Sequence, residues 1–315
     1  MKRALITGVA GFIGSHLAEA LLRRGDSVVG LDSFNDYYDP AIKRRNLEAA
    51  QACPGFSLRE ADICEEHTLR SIFHDARPDV VVHLAARAGV RPSLRDPNLY
   101  HRVNVIGTQH VLDACRDLGP AHLVIASSSS VYGNSTAVPF RETDPAATPL
   151  SPYGATKRMN ELQSHVYHHL YGLNITLLRF FTAYGPRQRP DMAIHKFARL
   201  ILENKPVPMF GDGSMQRDYT YIDDIIDGVV KTIDQPFPYE IFNLGESQTT
   251  SLAALIQMLE VHLGQSAIIE RLPEQPGDVR ITYADIRHAR ERLGYNPCVS
   301  MQEGIARFVA WLRQP

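Results

Sequence analysis

Apolar residues in the first 180 positions follow two alternating periods. Short β-branched runs at residues 4–7, 27–32, 56–61, 80–84, 123–127 and 175–181 predict strands. After the first run the spacing lengthens to three and four, and Ile13, Leu17, Ala20 and Leu21 share one side of a helix over 11–24. Val80-Val81-Val82 is apolar at successive positions, hence on both faces, as a strand inside a parallel sheet requires. Strands separated by helical stretches imply right-handed crossovers. The expected fold class is therefore α/β, a doubly wound parallel sheet of the Rossmann type.

Beyond residue 182 the pattern shortens. Pro and Gly crowd 185–190, 205–213 and 273–277, and helical periods recur at 192–203, 222–233, 251–263 and 301–312. This predicts a smaller, mixed α/β C-terminal lobe over the carboxyl edge of the sheet. Residues 241–244 have strand character and suit the first unit. The expected division is 1–181, rejoined by about 219–250, against 182–315.

Composition narrows the classes without altering the fold. With 44% hydrophobic and 22% charged residues over 315 positions, the chain can fill one large or two closely packed domains. A net charge of −2 gives no field for nucleic acid or anionic lipid, so neither partner is expected. No run approaches the roughly 18 apolar residues of a membrane span. Cys53, Cys64, Cys115 and Cys298 form no C-x-x-C pair, which argues against a disulfide framework or structural zinc and fits the cytoplasm. Glycines 8, 11 and 14 and His16 break the apolar run near the N-terminus, which reads as strand and helix rather than as an export signal.

The first strand hands over to the first helix through Thr7-Gly8-Val9-Ala10-Gly11-Phe12-Ile13-Gly14. Such a turn needs backbone freedom, and a pyrophosphate needs close approach to amides at a helix N-terminus. Gly8, Gly11, Phe12, Ile13 and Gly14 are thus candidate cofactor contacts. Asp32, ending the second strand, can accept from both adenosine ribose hydroxyls and would repel a 2′-phosphate. Ser33-Phe34 offers no arginine to hold one, so the expected cofactor is NAD rather than NADP. Asp62 and Ile63, ending the third strand, suit the adenine edge.

A serine-rich strand end, Ser127-Ser128-Ser129-Ser130, is followed at Tyr153 and Lys157 by a Y-x-x-x-K pair on one helix face. Met159, Leu162, Val166 and Leu170 continue that helix as an apolar stripe. A tyrosine of pKa ~10 is ionised in roughly one molecule per thousand at neutral pH, and making it a base requires ~4 kcal/mol of phenolate stabilisation. A neighbouring ammonium and a serine hydrogen bond can supply it. Asp218, Asp223, Asp224 and Asp227 read as carboxylates decorating a helix N-terminus, and His168-His169 lacks a ligand pattern, so no metal is expected.

Through the glycine turn, Asp32, His83-Leu84-Ala85-Ala86, Asn104, the serine strand, Tyr153/Lys157 and Arg217-Asp218-Tyr219, the chain resembles the extended short-chain dehydrogenases/reductases nearly end to end. The resemblance implies a catalytic set of Tyr153 as base, Lys157 positioning it and Ser128 on the sugar hydroxyl. It adds Leu84, Ala85, Ala86, Asn104 and Ser127 to the NAD contacts, with Lys157 also on the nicotinamide ribose. It implies a UDP-sugar substrate, with Arg217 on the diphosphate, Phe210 beside the uracil and Asp278 on the ribose. Gln275 stands where many relatives carry arginine. A homodimer through the Tyr153 helix and residues 104–116 is implied as well.

The family's 4,6-dehydratases carry Asp-Glu after the catalytic hydroxyl, where this chain has Ser129 and Ser130, and the glutamate of the UDP-glucuronate decarboxylases is missing too. That favours 4-epimerisation. Residues 34–40, 88–91, 127–132 and 179–192 are similar to the UDP-glucuronate 4-epimerase branch, and UDP-glucose epimerases usually have asparagine where Thr182 stands. Ser128, Ser129, Ser130, Thr182 and Arg189 can donate to a C6 carboxylate without setting a base beside C5. A UDP-glucose 4-epimerase, a 4,6-dehydratase and a non-catalytic NAD-binding protein are the alternatives.

Overall fold

The computed structural model describes residues 1–273 and 279–314. Its central sheet contains β1 (Arg3–Thr7), β2 (Ser27–Asp32), β3 (Phe56–Glu60), β4 (Val80–His83), β5 (His122–Ser128), β6 (Ile175–Phe180) and a late strand, Tyr239–Leu244. The spatial order is Tyr239–Leu244, β6, β5, β4, β1, β2, β3, and every neighbouring pair is parallel. The winding reverses between β1 and β4, and the crevice beyond the carboxyl ends at that point is where open α/β sheets take ligands.

Period-two alternation sorts the strand residues into two cores. Ala4, Ile6, Val80, Val82 and Val124 pack with Leu17 and Leu21 of α1 (Phe12–Arg23). Leu5, Val81, Leu123 and Ile125 pack on the other face with Leu69 and Phe73 of the Glu66–Ala76 helix and Val111 of the Gly107–Leu118 helix. Burial on both faces explains the unbroken apolar runs. Ile225 and Val229 of the Ile222–Asp234 helix join the α1 core, so part of the C-terminal half packs beneath the first-half sheet.

The expected C-terminal helices occur at Ala193–Leu202, Ile222–Asp234, Leu252–Leu263 and Met301–Leu312. Thr182–Tyr184 pairs with Tyr219–Tyr221, and Pro206–Phe210 with Ile268–Leu272. Among the short elements with no counterpart in the sequence pattern, two border the serine-rich strand end and Asn104. Ser129–Tyr132 forms a 3₁₀ turn, and His101–Ile106 forms a π-helix running straight into the Gly107–Leu118 helix. π segments often mark functional positions, and this one carries buried Asn104.

The acidic residues expected at a helix start have distinct duties. Asp223 and Asp224 occupy the first turn of Ile222–Asp234, and Asp224 accepts from the Cys298 and Val299 amides. Asp218 is buried and accepts from the amides of Glu246, Ser247 and Ala284. Asp227 pairs with Lys231 on the surface. Among the described residues no helix is long and apolar enough to cross a membrane.

Candidate active site

A cavity of about 570 Å³ lies beyond the carboxyl ends of β1, β2, β4, β5 and β6. Gly8, Gly11, Phe12, Ile13, Gly14, Asp32, Asp62, Ile63, Leu84, Ala85, Ala86 and Ser127 line one stretch of it; Ser128, Ser129, Ser130, Tyr153, Lys157, Thr182, Arg189 and Arg217 line the rest. Two expected contacts lie outside the lining. Asn104 sits behind the wall: its Oδ1 accepts from the Arg87 amide, and its Nδ2 donates to the Arg87 carbonyl and Thr156 Oγ1. Both ends of its side-chain amide are thus paired with protein. Phe210 sits off the lining with the Arg91 guanidinium 4.4 Å from its ring centroid. Asp278 and Gln275 fall outside the described residues.

At the β1–β2 end the backbone forms a tight cradle. Gly8 has φ +72°, and a Cβ there would stand 2.8 Å from the Ala85 nitrogen; one on Gly14 would stand 2.2 Å from the Gly8 oxygen. Gly11 caps α1 without a side-chain hydrogen bond, so the first helical amides have no side-chain acceptor from the cap. Uncapped amides reached over side-chain-free backbone suit a pyrophosphate. Asp32 is buried and accepts from the Ala10 and Phe34 amides at 3.0 and 2.9 Å. Burial raises its carboxyl above the usual range, opposed by those amides and by Lys43. It retains lone pairs for two ribose hydroxyls. The donor set therefore fits NAD.

At the β5 end, Ser151 caps the Pro152–Tyr171 helix by accepting from the Gly154 amide, which sets Tyr153 in the first turn. Lys157, one turn on, is buried and donates from Nζ to the Ala126 carbonyl at 2.7 Å. Burial pushes Lys157 down to about 8, with Glu161 opposing. Burial raises Tyr153 above its ordinary value; a hydrogen bond with Ser128 and the charge of Arg189 act in the opposite direction. Lys157 is tied to β5 through the Ala126 carbonyl, and Arg189 brings a further cation to bear on Tyr153.

A buried polar frame backs this wall. Glu161 accepts from Arg179 Nε and Nη2 at 2.8 and 2.9 Å, and from the Ser127 hydroxyl at 2.7 Å. Ser127 therefore presents backbone, not hydroxyl, to the cavity. Burial alone would raise Glu161, but Arg179, Ser127 and Arg158 hold it below the usual carboxylate range. Arg179 also donates to Tyr132 Oη, which donates to Asn243 Oδ1 on the Tyr239–Leu244 strand. His83 sits between the Thr7 and Thr108 hydroxyls, and burial pushes it down to about 3, so it is a neutral strut.

Arg189 completes the Tyr153 end of the cavity. Its Nε and Nη2 donate to Asp191 at 3.0 and 2.9 Å, and its guanidinium lies 5.3 Å from the centroid of Tyr37. The only carboxylates in the described lining are Asp32 and Asp62, both near the α1 end. None lines the wall around Tyr153.

Several lining residues had no distinguishing signal. Lys43 stands in a run of cationic residues, yet its Nζ turns inward onto the Asn35 carbonyl and Oδ1. Tyr37 and Arg87 reach the cavity only because the segments after β2 and β4 converge there. A local motif cannot announce such convergence.

The chain matches the family described as GDP-mannose 4,6-dehydratase over residues 5–308. It is 44% identical over 311 residues to a UDP-glucuronate 4-epimerase of Thermodesulfobacterium geofontis, covering 98% of this chain and 96% of the relative. A Bacillus cereus UDP-glucuronic acid 4-epimerase, solved with UDP-glucuronic acid and NAD, superposes with a TM-score of 0.93 at 39% identity, covering 99% of each chain. A UDP-glucose 4-epimerase of Thermotoga maritima, solved with UDP-glucose, superposes with a TM-score of 0.91 at 32% identity, covering 99% of this chain and 98% of that one.

Proposed function

Since the chain belongs to the GDP-mannose 4,6-dehydratase family, within the extended short-chain dehydrogenases/reductases, we propose that it is an NAD-dependent UDP-glucuronate 4-epimerase, forming UDP-galacturonate. The observation that carries this reading is the wall around Tyr153. It offers hydroxyls from Ser128, Ser129, Ser130 and Thr182 and a cation at Arg189, and no described carboxylate. That wall suits a C6 carboxylate and lacks the acid that a dehydratase or decarboxylase of this family uses. The UDP-glucose reading draws on the Thermotoga maritima likeness, but a neutral C6 hydroxymethyl group leaves the Arg189 edge not used by Asp191 without an anion to bind.

Residues 1–181 with about 219–250 form the NAD unit, and 182–315 chiefly the sugar lobe. Support comes from the late strand in the sheet and the packing of Ile222–Asp234 on α1. Gly8, Gly11 and the first amides of α1 hold the pyrophosphate, Asp32 the adenosine ribose, and Asp62 and Ile63 the adenine edge. When bound, NAD supplies reversible hydride exchange with C4 of the sugar. Tyr153 accepts the O4 proton as C4 is oxidised and returns it after the 4-keto sugar has presented its other face. Ser128 bonds both phenol and sugar hydroxyl, and Lys157 holds the helix turn against β5. Arg217 meets the diphosphate, Phe210 the uracil and Asp278 the ribose. The four free cysteines fit a cytoplasmic setting.

The purified protein, given UDP-glucuronate and no added NAD, is expected to yield UDP-galacturonate by chromatography. A UDP-pentose as main product, net loss of water, or a preference for UDP-glucose would overturn the assignment.

The same helix supports a homodimer. Its buried face carries Gly154, Thr156, Lys157, Asn160, Glu161, Ser164 and Tyr167. The apolar stripe points outward instead: Leu162 and Leu170 are 52% and 60% exposed, with Val166 between them. Exposed Ile106 and Leu118 extend the apolar surface along the neighbouring helical segment. An exposed apolar stripe of this kind marks an association surface. Leu162→Arg is expected to shift the protein from dimer to monomer in analytical ultracentrifugation at micromolar concentration; a monomeric wild type would overturn the dimer.

A further inference from the structure

Resting on the uronate reading above, we propose that Asp191 and Tyr37 are positioning residues that make Arg189 a releasable grip on the sugar carboxylate, and so set the balance between epimerisation and loss of carbon dioxide. Oxidation at C4 turns a uronic acid into a β-keto acid. If the C5–C6 bond breaks, its electron pair moves to the C4 carbonyl oxygen, carbon dioxide departs, and a proton added at C5 leaves a 4-keto pentose. A firmly oriented carboxylate resists this. Yet epimerisation also requires the sugar to turn over between the two hydride transfers, so the carboxylate must be released once in every cycle. A free arginine would engage it bidentately and strongly.

The geometry of Arg189 answers both demands. Asp191 occupies the Nε/Nη2 edge at 3.0 and 2.9 Å, leaving Nη1 with no hydrogen-bond partner among the described residues. Asp191 thereby takes one of the two forks of the guanidinium and offsets part of its charge, so that the remaining Nη1/Nη2 edge holds a sugar carboxylate less strongly than a free arginine would. The Tyr37 ring supports the guanidinium at 5.3 Å, and its hydroxyl is anchored by donating to the Ala88 carbonyl at 2.8 Å. The backbone leading to Arg189 is fixed from α1: a His16 ring nitrogen bonds the Pro186 carbonyl at 3.0 Å, and Glu19 pairs with Arg187 at 2.7 Å. Arg187 itself has φ +63°, a left-handed conformation for a non-glycine residue that surrounding contacts must maintain. Asp191 is 43% exposed on its side chain, so the pair adds little to stability. Its consequence is geometric.

The test compares wild type with Asp191→Asn, which keeps the shape and removes the charge, and with Tyr37→Leu, which removes the support. For Asp191→Asn, kcat on UDP-glucuronate is expected to fall at least tenfold while KM stays level or drops. For Tyr37→Leu, the UDP-pentose share of product is expected to rise severalfold. Affinity for UDP, which has no sugar carboxylate, should remain within twofold in both. Kinetic constants and product ratio within twofold of wild type overturn the clamp. So does weakened UDP binding together with a raised KM, which marks general disruption. A wild type inert on UDP-glucuronate but active on UDP-glucose overturns the uronate reading and the clamp with it, whereas an active wild type with unaltered variants overturns the clamp alone.

Discussion

Tyr153→Phe is expected to cut turnover by about 10²–10⁴-fold, the usual worth of a positioned acid–base group, while leaving the nucleotide sugar bound. In the proposed mechanism the lost hydroxyl exchanges the O4 proton; it is bonded to Ser128 and faces the charge of Arg189. The ring keeps its edge-to-face contact with Tyr100 at 6.3 Å, so the wall should stay in place. Steady-state kinetics on UDP-glucuronate, with calorimetric binding of the same compound, separates the two effects. A variant retaining a tenth or more of wild-type kcat would remove Tyr153 from the chemistry.

Arg179→Leu is expected to destabilise the fold by about 3–5 kcal/mol, the cost of leaving one member of a buried ion pair without its partner. Arg179 is 1% exposed and Glu161 is 1% exposed, so water cannot replace the lost bonds. The partly exposed Arg158 reaches Glu161 Oε2 only, which leaves Oε1 with the Ser127 hydroxyl alone. Tyr132 would lose its donor from Arg179 as well. Removing Glu161 too, in Glu161→Leu/Arg179→Leu, should recover part of the loss, because no buried charge is then unpaired. Urea unfolding of the wild type and these two variants reads this directly. A single variant losing less than about 1 kcal/mol would mean that the pair is not a structural frame.

The two proposed failures have different origins in the sequence. Tyr153 and Lys157 announce themselves, because a helix brings positions four apart onto one face wherever it lies. Glu161 and Arg179 announce nothing. They are 18 residues apart on a helix and a strand, and they meet only after that helix docks on the sheet. The stripe at Met159, Leu162, Val166 and Leu170 illustrates the limit from the other side. Periodicity shows that these residues share a face. It does not show whether the face meets this chain's own core or another molecule, and here it points outward.

Asn104 and Arg189 mark the same division inside the site. Asn104 belongs to a recognisable constellation, yet the π-helix turns its amide onto Arg87 and Thr156, behind the cavity wall. Arg189 was expected to donate to a carboxylate; its pair with Asp191 is local, but its seat on the Tyr37 ring joins segments about 150 residues apart.

By itself the sequence determined whatever depends on local period and local backbone freedom. That includes the parallel strands, the glycine turn with its following helix, Asp32 at a strand end, and the tyrosine–lysine pair. Each is set by residues within one or two turns of one another, where sterics and hydrogen-bonding geometry leave few options. Only the tertiary structure decided that a further cation faces the phenol, which face of the catalytic helix is exposed, and how the arginine at the sugar end is held. Those outcomes depend on desolvation and on charges a few ångströms apart in space, and both arise only when distant segments pack together.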